Sequence, residues 1–225
     1  MNDFASVRAV VFDAVGTLIY PNPPAAVVYQ QLGLMQGSGL SEGEIASNFK
    51  SAIRQYPYQP RTNEHIERAR WRRIVADVFT DLDDTESLFG QLWDHFARSS
   101  SWAVFDDVAD ALRELHTFGL VTAIGSNFDD RLSAIVPELA PLDQTQATFV
   151  SSQLGFTKPA IEFFRAIEAE LQLHPHELLM VGDDARNDIA GAAQAGWHGL
   201  LLDRAANGNT QGTIQSLREL ASSWA

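Results

Sequence analysis

The stretch VVFDAVGTL, residues Val10 to Leu18, decides the fold prediction. A short apolar run, typical of a buried strand, is followed at once by the carboxylate of Asp13 and by a small loop that closes on Gly16 and Thr17. Ligands of open α/β sheets bind outside the carboxyl ends of the strands. An acid at such a point is therefore a candidate for chemistry, although aspartate is also common in turns.

Four further apolar segments have the length and composition of buried strands, at residues 120–124, 147–150, 178–181 and 199–202. Helix-length segments separate them, and one of these carries Val108, Leu112 and Leu115 on one face before it ends at Gly119. Strands that alternate with helices predict a doubly wound α/β core with a parallel, Rossmann-like sheet and right-handed crossovers. We expect residues 10–12 to belong to the same sheet.

Between about residues 20 and 100 the sequence shows helical patterns only. Ser41 and Glu44 form a capping-box pattern in front of apolar residues spaced four apart. Two further helices are predicted around residues 66–79 and 88–96, each with apolar residues on one face. This stretch is long enough for a small helical bundle.

A proline-rich junction at residues 21–24 separates the first predicted strand from these helices. The sheet pattern resumes shortly after residue 100. The sequence therefore predicts an α/β core formed by residues 1–18 and 101–225, with a helical domain inserted at residues 19–100.

The composition of the 225 residues excludes several kinds of function. Apolar residues make up 45% and charged residues 20% of the chain, as in an ordinary globular protein. The net charge of -13 opposes nucleic acid or an anionic membrane as the principal partner, because both would be repelled. No cysteine is present, which excludes disulfides, thiolate metal sites and a cysteine nucleophile. We expect a cytoplasmic protein that acts on a small molecule, since no signal-peptide pattern or membrane-length apolar run occurs.

The residues after the predicted strands are polar, as a ligand site at one edge of a sheet would require. Ser126 and Asn127 follow the second strand, and GDDARND, residues 182–188, follows the fourth. Three aspartates within six residues are compatible with a hard-cation site and also with an acidic turn. Lys158 precedes Pro159, which suits the first position of a helix and leaves the lysine on the loop before it.

In order along the chain, FDAVGTL, GSN, the lysine of FTKP and VGDDARNDIAGA resemble the four motifs of the haloacid dehalogenase-like hydrolase superfamily. The helical stretch resembles the cap that the superfamily's first subfamily inserts after the first strand. Residues 102–132, which end in the segment SNFDDRL, are similar to the haloacid dehalogenase-like hydrolase domain-containing branch of that subfamily. The resemblance covers nearly the whole chain and is more specific for fold than for substrate.

The resemblance implies a Mg2+ site at the end of the first strand. Its ligands would be the Asp13 carboxylate, the backbone carbonyl of Val15 and the Asp183 carboxylate. Asp188, and secondarily Asp184, would orient the site or hold metal-bound water, and the sequence leaves open which of the two lies closer to the metal.

The resemblance also implies roles in phosphoryl transfer. Asp13 would attack phosphorus to form an aspartyl phosphate, which is reasonable once a cation and hydrogen-bond donors neutralise the phosphoryl oxygens. Ser126 and the backbone amide of Asn127 would bind a phosphoryl oxygen. Lys158 would offset the negative charge gathered between Asp13 and a small phosphorylated substrate.

Val15 is where the chain departs from the pattern. Phosphatases of this superfamily usually place a second aspartate two residues after the nucleophile, which protonates the leaving oxygen and later activates water. A positioned acid or base contributes about 10²–10⁴-fold, or roughly 3–5 kcal/mol of barrier. Its loss would be severe for an alcohol leaving group and mild for one that departs as an anion. The metal ligand at this position is a backbone carbonyl and does not depend on the side chain.

Three functions remain open from the sequence. The first is a Mg2+-dependent phosphohydrolase that acts on activated phosphoesters or acts slowly. The second is halide displacement, since 2-haloacid dehalogenases of the superfamily also lack the second acid and have a first motif similar to FDAVGTL. Their fourth motif is less acidic than GDDARND, and they need no metal. The third is a catalytically weak phosphate-binding or scaffold protein that retains the fold.

Polar residues of the helical stretch are weaker candidates. The arginines around Trp71, at positions 68, 70, 72 and 73, lie within helical pairing distance of Glu64 and Glu67, which indicates a solvated face. Tyr20 and Arg61 are candidates to reach a substrate from the inserted domain.

Overall fold

The structure is a computed structural model that describes residues 4–206 and 212–224. Within those ranges the strands are β1 (Ala9–Phe12), β2 (Ile19–Pro21), β3 (Trp102–Val104), β4 (Val121–Ser126), β5 (Ala147–Val150), β6 (Leu178–Gly182), β7 (His198–Leu202) and β8 (Thr213–Ile214). Six of them form a parallel sheet in the order β5–β4–β1–β6–β7–β8. The predicted doubly wound α/β core is confirmed, and each predicted strand lies within two residues of an observed one.

The helices of the described residues are α1 (Ala25–Met35), α2 (Glu42–Gln55), α3 (Glu64–Val78), α4 (Glu86–His95), α5 (Val108–Thr117), α6 (Arg131–Ile135), α7 (Ser151–Leu154), α8 (Ile161–Leu171) and α9 (Gly191–Ala195). The predicted capping box of α2 is present: Ser41 Oγ accepts a hydrogen bond from the Glu44 amide, and the Glu44 carboxylate accepts one from the Ser41 amide. None of these helices has the length and apolar character needed to cross a membrane.

A short antiparallel ribbon was not predicted. Ile19 of β2 pairs with Val104 of β3, and Pro21 pairs with Trp102. The expectation of helical patterns alone from residue 20 onward is therefore wrong at its first two residues. A three-residue strand is too short for its alternation of side chains to stand out from a loop, and its partner lies about 80 residues away.

The sheet is covered on both faces because alternate residues of its central strand point in opposite directions. Val10 and Phe12 pack into one core cluster with α5 and the chain around Leu217, whereas Ala9 and Val11 pack into a second with α8 and α9. All four residues are fully buried. Burial of a side chain the size of Phe12 stabilises the fold by about 1.5–3 kcal/mol.

We call residues 25–96, from the start of α1 to the residue after α4, the helical insertion. Its helices share a hydrophobic cluster of their own, with Ile45, Val75, Phe79 and Phe89 among the buried members. The ribbon of β2 and β3 connects the insertion to the sheet at both of its ends. The insertion therefore has its own core while it stays close to the end of β1.

The register of the central strands determines where their loops emerge. Phe12, the last residue of β1, pairs with Ile124 of β4 on one side and with Val181 of β6 on the other. The three strands consequently end at the same edge of the sheet. The loops that follow them emerge together beneath the helical insertion.

Candidate active site

Lys158 is a buried cation held between two carboxylates. Its side chain is 2% exposed, and Nζ lies 2.7 Å from Asp13 Oδ1 and 2.6 Å from Asp188 Oδ1. Nζ also donates a hydrogen bond of 2.8 Å to the carbonyl oxygen of Gly125. Burial opposes the positive charge, but the two carboxylates outweigh it and raise the pKa of Lys158 above its ordinary value. The ammonium group is thus a fixed positive charge at neutral pH.

Asp13 receives two hydrogen bonds on one oxygen. Ser126 Oγ donates to Oδ1 at 3.0 Å, and the Lys158 ammonium donates to the same atom. The Asp13 amide also donates to the carbonyl of Val181 at 2.9 Å, which continues the pairing of β1 with β6. These contacts fix the orientation of the carboxylate and leave Oδ2 to act as a nucleophile or a ligand.

Three carboxylates converge at this point. Asp13, Asp183 and Asp188 each offer an oxygen, and these oxygens lie within 4.8 Å of one another. Burial, the largest cause, and the negative charge of Asp13 together raise the pKa of Asp183 and of Asp188 to about 6, against the opposing effect of Lys158. Lys158 offsets only one of the three charges. Hard oxygen donors with surplus negative charge are what Mg2+ requires, so the residues fit this cation.

Asp184 and Asp188 both follow β6 but have different environments. Asp188 is buried, and its Oδ2 accepts a hydrogen bond of 3.1 Å from the Asp184 amide. Asp184 is exposed and begins a π-helical turn, Ala185–Ala190, where its Oδ1 accepts from the amides of Arg186 and Asn187. Asp188 therefore belongs to the acidic cluster, and Asp184 serves as the N-cap of the turn that carries it.

Two glycines let the acids approach the backbone closely. Gly16 has a φ of +94°, and a Cβ at this position would lie 2.3 Å from Asp183 Oδ2. A Cβ on Gly182 would lie 2.1 Å from Asp188 Oδ2. Any larger residue at either position would displace a carboxylate of the cluster.

The side chain of Asn127 fixes the loop that carries Lys158. Its Oδ1 accepts a hydrogen bond of 2.7 Å from the Lys158 amide, and its Nδ2 donates one of 3.0 Å to the Lys158 carbonyl. Only the backbone amide of Asn127 was predicted to have a role, and these side-chain contacts were not. The Asn127 carbonyl in turn accepts a hydrogen bond of 3.0 Å from the hydroxyl of Tyr58, a residue of the helical insertion. Tyr58 was not predicted as a site residue, because nothing in the sequence links positions 69 residues apart.

The predicted position of Pro159 at the start of a helix is wrong. α8 begins two residues later, at Ile161. The chain first forms a turn in which the Ala160 amide donates to the Thr157 carbonyl at 2.8 Å. Lys158 nevertheless lies on the loop before the helix, as expected, because the contacts of Asn127 hold its backbone there.

Val15 presents an apolar side chain to the same region. It is half-buried, packs against the core cluster of the sheet and lines the cavity that also contains Asp13. Its role as a carbonyl ligand comes from the family resemblance and stays a prediction. The side chain itself can neither donate nor accept a proton.

A cavity of about 460 Å³ extends from the acidic cluster to the helical insertion. Asp13, Ser126 and Lys158 lie at one end of its lining, and aromatic residues such as Phe89 and Trp93 line the insertion side. This volume is within the range of small-molecule sites, about 300–1,000 Å³.

Arg131 lines the cavity and was not singled out as a site residue, although it belongs to the quoted segment SNFDDRL. Its Nε and Nη2 each lie 2.7 Å from an oxygen of Asp129. Its guanidinium lies 3.6 Å from the ring centroid of Trp93. This contact brings a residue of the helical insertion against the start of α6, shortly after β4.

The weaker sequence candidates lie elsewhere. Tyr20 is exposed and packs on Phe105, and Arg61 lies over Phe156; neither is among the residues that line the cavity. The expectation of a solvated arginine face is wrong for Arg70, which is buried with its guanidinium 4.0 Å from the ring centroid of Tyr58. Helical spacing alone did not indicate that this arginine faces an aromatic partner.

Comparisons with known proteins agree with the geometry. A family model for haloacid dehalogenase-like hydrolases matches residues 7–196. Over 206 residues the chain is 26% identical to haloacid dehalogenase-like hydrolase domain-containing protein 3 of Xenopus laevis. This alignment covers 88% of this chain and 84% of that protein. This relative confirms the predicted resemblance to that branch.

Two solved structures share the fold. One is a HAD phosphatase from Thermococcus onnurineus, with a TM-score of 0.69, 20% identity and coverage of 96% of this chain and 97% of that one. The other is L-2-haloacid dehalogenase from Xanthobacter autotrophicus, with a TM-score of 0.75, 19% identity and the same coverage. One fold thus carries two reactions, so the reaction of this chain has to be argued from its own residues.

Proposed function

The chain belongs to the haloacid dehalogenase-like hydrolase family, and from this we propose that it is a Mg2+-dependent phosphohydrolase acting through an aspartyl phosphate on Asp13. The observation that carries the proposal is the cluster of Asp13, Asp183 and Asp188 beside a single buried ammonium group. Three carboxylates and one lysine leave a net charge of -2 when all are ionised. A phosphate dianion would be repelled from this place unless a divalent cation bound with it.

We propose that the carboxylates of Asp13, Asp183 and Asp188, with the carbonyl of Val15, hold the cation. When bound, Mg2+ would supply positive charge to the phosphoryl oxygens. Asp184 has no part in this ligand set in the proposal, because its carboxylate already caps the following turn.

The residues of the chain would then divide the remaining work. Asp13 attacks phosphorus, and the bond between phosphorus and the leaving oxygen breaks. Ser126 Oγ and the Asn127 amide donate hydrogen bonds to a phosphoryl oxygen. Lys158 stays charged and reduces the repulsion between the attacking carboxylate and the phosphoryl group. Water then attacks the aspartyl phosphate, which releases phosphate and restores the Asp13 carboxylate.

Val15 limits which substrates react quickly. The leaving oxygen receives no proton from this position, so its electron pair has to be stable without one. We propose activated phosphoesters, such as aryl or acyl phosphates, as the substrates that are turned over fastest.

Halide displacement is the second candidate function, and Val15 is the observation that favours it. A halide leaves without a proton, and Asp13 would then form an ester with a carbon atom instead of phosphorus. A 2-haloacid is itself an anion, so Asp183 and Asp188 would repel it in the absence of a cation. The acidic cluster therefore favours phosphate.

The helical insertion is proposed to act as a cap domain over the sheet edge. Its support is the cavity that the insertion and the sheet edge line together. Contacts of Tyr58 with Asn127 and of Trp93 with Arg131 join the two parts beside that cavity.

The experiment is a turnover assay with acetyl phosphate, phenyl phosphate and 2-chloropropionate, each with Mg2+ and with excess chelator. We expect turnover of the two phosphates only when Mg2+ is present, and Asp13→Asn should abolish this turnover. Equal rates in chelator would contradict the metal role. Release of chloride without metal would favour the second candidate.

A further inference from the structure

The cavity has two chemically different halves. Of its 24 lining residues, 11 belong to the helical insertion, and none of those 11 is charged. They include Phe49, Trp71, Phe89 and Trp93. The opposite half contains the acidic cluster and Lys158. With the proposed cation bound to the acidic cluster, a ligand that fills the cavity therefore needs one anionic end and one apolar end.

Aromatic rings in the apolar half are held by one another. The rings of Phe49 and Trp71 are stacked with centroids 6.3 Å apart, and those of Phe89 and Trp93 are 5.7 Å apart. Rings fixed in this way bind a flat apolar group without first having to be ordered. A sugar or a polyol in the same place would bury hydroxyl groups next to carbon atoms, which disfavours binding.

The cations that line the cavity are already paired. Arg131 makes a two-point contact with Asp129 and lies against Trp93, and Lys158 is held by Asp13 and Asp188. Among the described residues that line the cavity, these two are the only lysines or arginines. The apolar half consequently offers no free positive charge to a second anionic group on the substrate.

We propose that the leaving group of the substrate is an aryloxide whose aromatic ring carries no charged substituent, so that the enzyme hydrolyses aryl phosphates; this inference rests on the proposed phosphohydrolase function. Asp13 forms a bond to phosphorus while the bond between phosphorus and the aryloxide oxygen breaks. The electron pair of the broken bond stays on the aryloxide oxygen, which then takes a proton from water. Water then releases phosphate from Asp13. The sum is aryl phosphate plus water to phenol plus phosphate.

Val15 supports this leaving group independently of the cavity. A phenol has a pKa of about 10, whereas an alcohol resembles water, with a pKa near 15.7. An aryloxide therefore departs without the acid that Val15 cannot supply. The apolar lining and the missing acid favour the same chemical class.

The test compares 1-naphthyl phosphate, phenyl phosphate and acetyl phosphate in the presence of Mg2+. The first two have leaving groups of similar acidity and differ in apolar area, so we expect kcat/KM to be about tenfold higher for the naphthyl ester. Acetyl phosphate is small, has a good leaving group and reports on the chemistry alone.

The blocking variant is Ala25→Trp. Ala25 lines the cavity at the start of α1, so a larger side chain there occupies the apolar half without removing a core residue. We expect it to lower kcat/KM for 1-naphthyl phosphate about tenfold or more and to change that for acetyl phosphate less than about threefold. Leu34→Trp is the matched control, since Leu34 lies on the same helix, is 58% exposed and is outside the cavity lining. Phe49→Leu removes one ring of the half-buried pair and should weaken naphthyl selectivity in the same direction.

Binding of 1-naphthol, measured by the quenching of tryptophan fluorescence, separates the aromatic-site proposal from the proposed phosphohydrolase function. Trp71, Trp93 and Trp102 line the cavity and report on it directly. Binding that is lost in Ala25→Trp supports the aromatic site even if no phosphate is turned over, which would contradict only the proposed function. Turnover of acetyl phosphate without naphthol binding or naphthyl preference would overturn the inference and leave the phosphohydrolase function intact.

Discussion

Val15 is the residue whose replacement tests the proposed chemistry most directly. Its half-buried side chain lines the cavity that contains Asp13, so an acid at this position would face the substrate. We expect Val15→Asp to raise kcat for an alkyl phosphate such as glycerol phosphate, by up to about 10²–10⁴-fold, because it supplies the missing proton donor and base. Steady-state phosphate release measures the effect.

Val15→Asn is the matched control for this change. It introduces a polar side chain of the same shape that cannot transfer a proton at neutral pH. Both variants should retain the circular dichroism spectrum of the parent protein. Two results would contradict the proposal that position 15 is where the acid and base are missing. One is an equal effect of aspartate and asparagine, and the other is no gain in kcat with a folded Val15→Asp protein.

Residues of the candidate site were predictable because they lie on loops at the carboxyl edge of the sheet. Ser126 lies 113 positions after Asp13, and Lys158 lies 145 positions after it. Both still contact Asp13, since parallel strands place their loops at one edge of the sheet. The separate roles of Asp184 and Asp188 were not predictable. Both acids lie in one short acidic stretch, and only the turn geometry shows which one caps and which one joins the cluster.

At the scale of elements, the loop between α2 and α3 holds the two loops that carry Asn127 and Lys158. Tyr58 donates to the Asn127 carbonyl, and Thr157 Oγ1 donates to the Gln59 carbonyl at 2.8 Å. The Thr62 amide donates to the Gly155 carbonyl at 3.1 Å. The insertion thus contributes contacts that position the loops as well as a lining for the cavity.

Tyr58→Phe should therefore weaken catalysis without changing the metal ligands. Loss of this hydrogen bond costs about 0.5–1.5 kcal/mol, so we expect kcat/KM for phenyl phosphate to fall by roughly 2–10-fold. Tyr20→Phe removes a hydroxyl of an exposed tyrosine outside the cavity lining and should leave the rate unchanged. Equal losses in the two variants would show that Tyr58 has no positioning role.

Asp107 connects elements that are distant in the sequence. Its buried carboxylate accepts hydrogen bonds from the Arg204 guanidinium, from Ser216 Oγ and from the Leu217 amide. Burial opposes ionisation, but these donors outweigh it and lower the pKa of Asp107 below its ordinary value. Arg204 also donates to the Thr17 carbonyl at 2.8 Å, which ties this network to the loop after β1.

We expect Asp107→Asn to lower the free energy of unfolding at pH 7 by about 3 kcal/mol, near the lower limit for a broken buried pair because Arg204 is partly exposed. A carboxyl with a lowered folded pKa stabilises the fold above its unfolded pKa of about 3.9 and loses that effect as the pH falls through the folded pKa. The difference between parent and variant should consequently narrow below about pH 4. Urea unfolding at several pH values measures it, and a difference that stays constant down to pH 2 would contradict the network.

The elements themselves were predictable to different degrees. The parallel strands and α2 have the repeating patterns and capping residues that local sequence encodes. The ribbon of β2 and β3 and the contact of Tyr58 with Asn127 depend on partners far along the chain. The burial of Arg70 was missed for the same reason, since a charged residue on a helix usually faces solvent unless a distant partner covers it.

For the whole molecule, cation binding and folding should be coupled, because the proposed ligands come from loops after β1 and β6 that are adjacent only in the folded chain. A ligand that binds the folded state stabilises it by about 2.7 kcal/mol at a concentration 100-fold above Kd. For a chain of this length we expect Mg2+ at that excess to raise the Tm by roughly 5–10 °C.

Asp183→Asn and Asp184→Asn separate a ligand from its neighbour. Asn at 184 retains an oxygen that can cap the turn, so this variant should keep the rise in Tm produced by Mg2+. Asn at 183 removes a carboxylate from the cluster and should abolish most of the rise. In excess chelator the Asp183→Asn protein should be at least as stable as the parent, since fewer like charges then crowd around Asp13. Scanning calorimetry with and without Mg2+ measures the rise in Tm of both variants and the stability of the Asp183→Asn protein in chelator. An equal rise in Tm in the two variants would place the cation somewhere other than the acidic cluster.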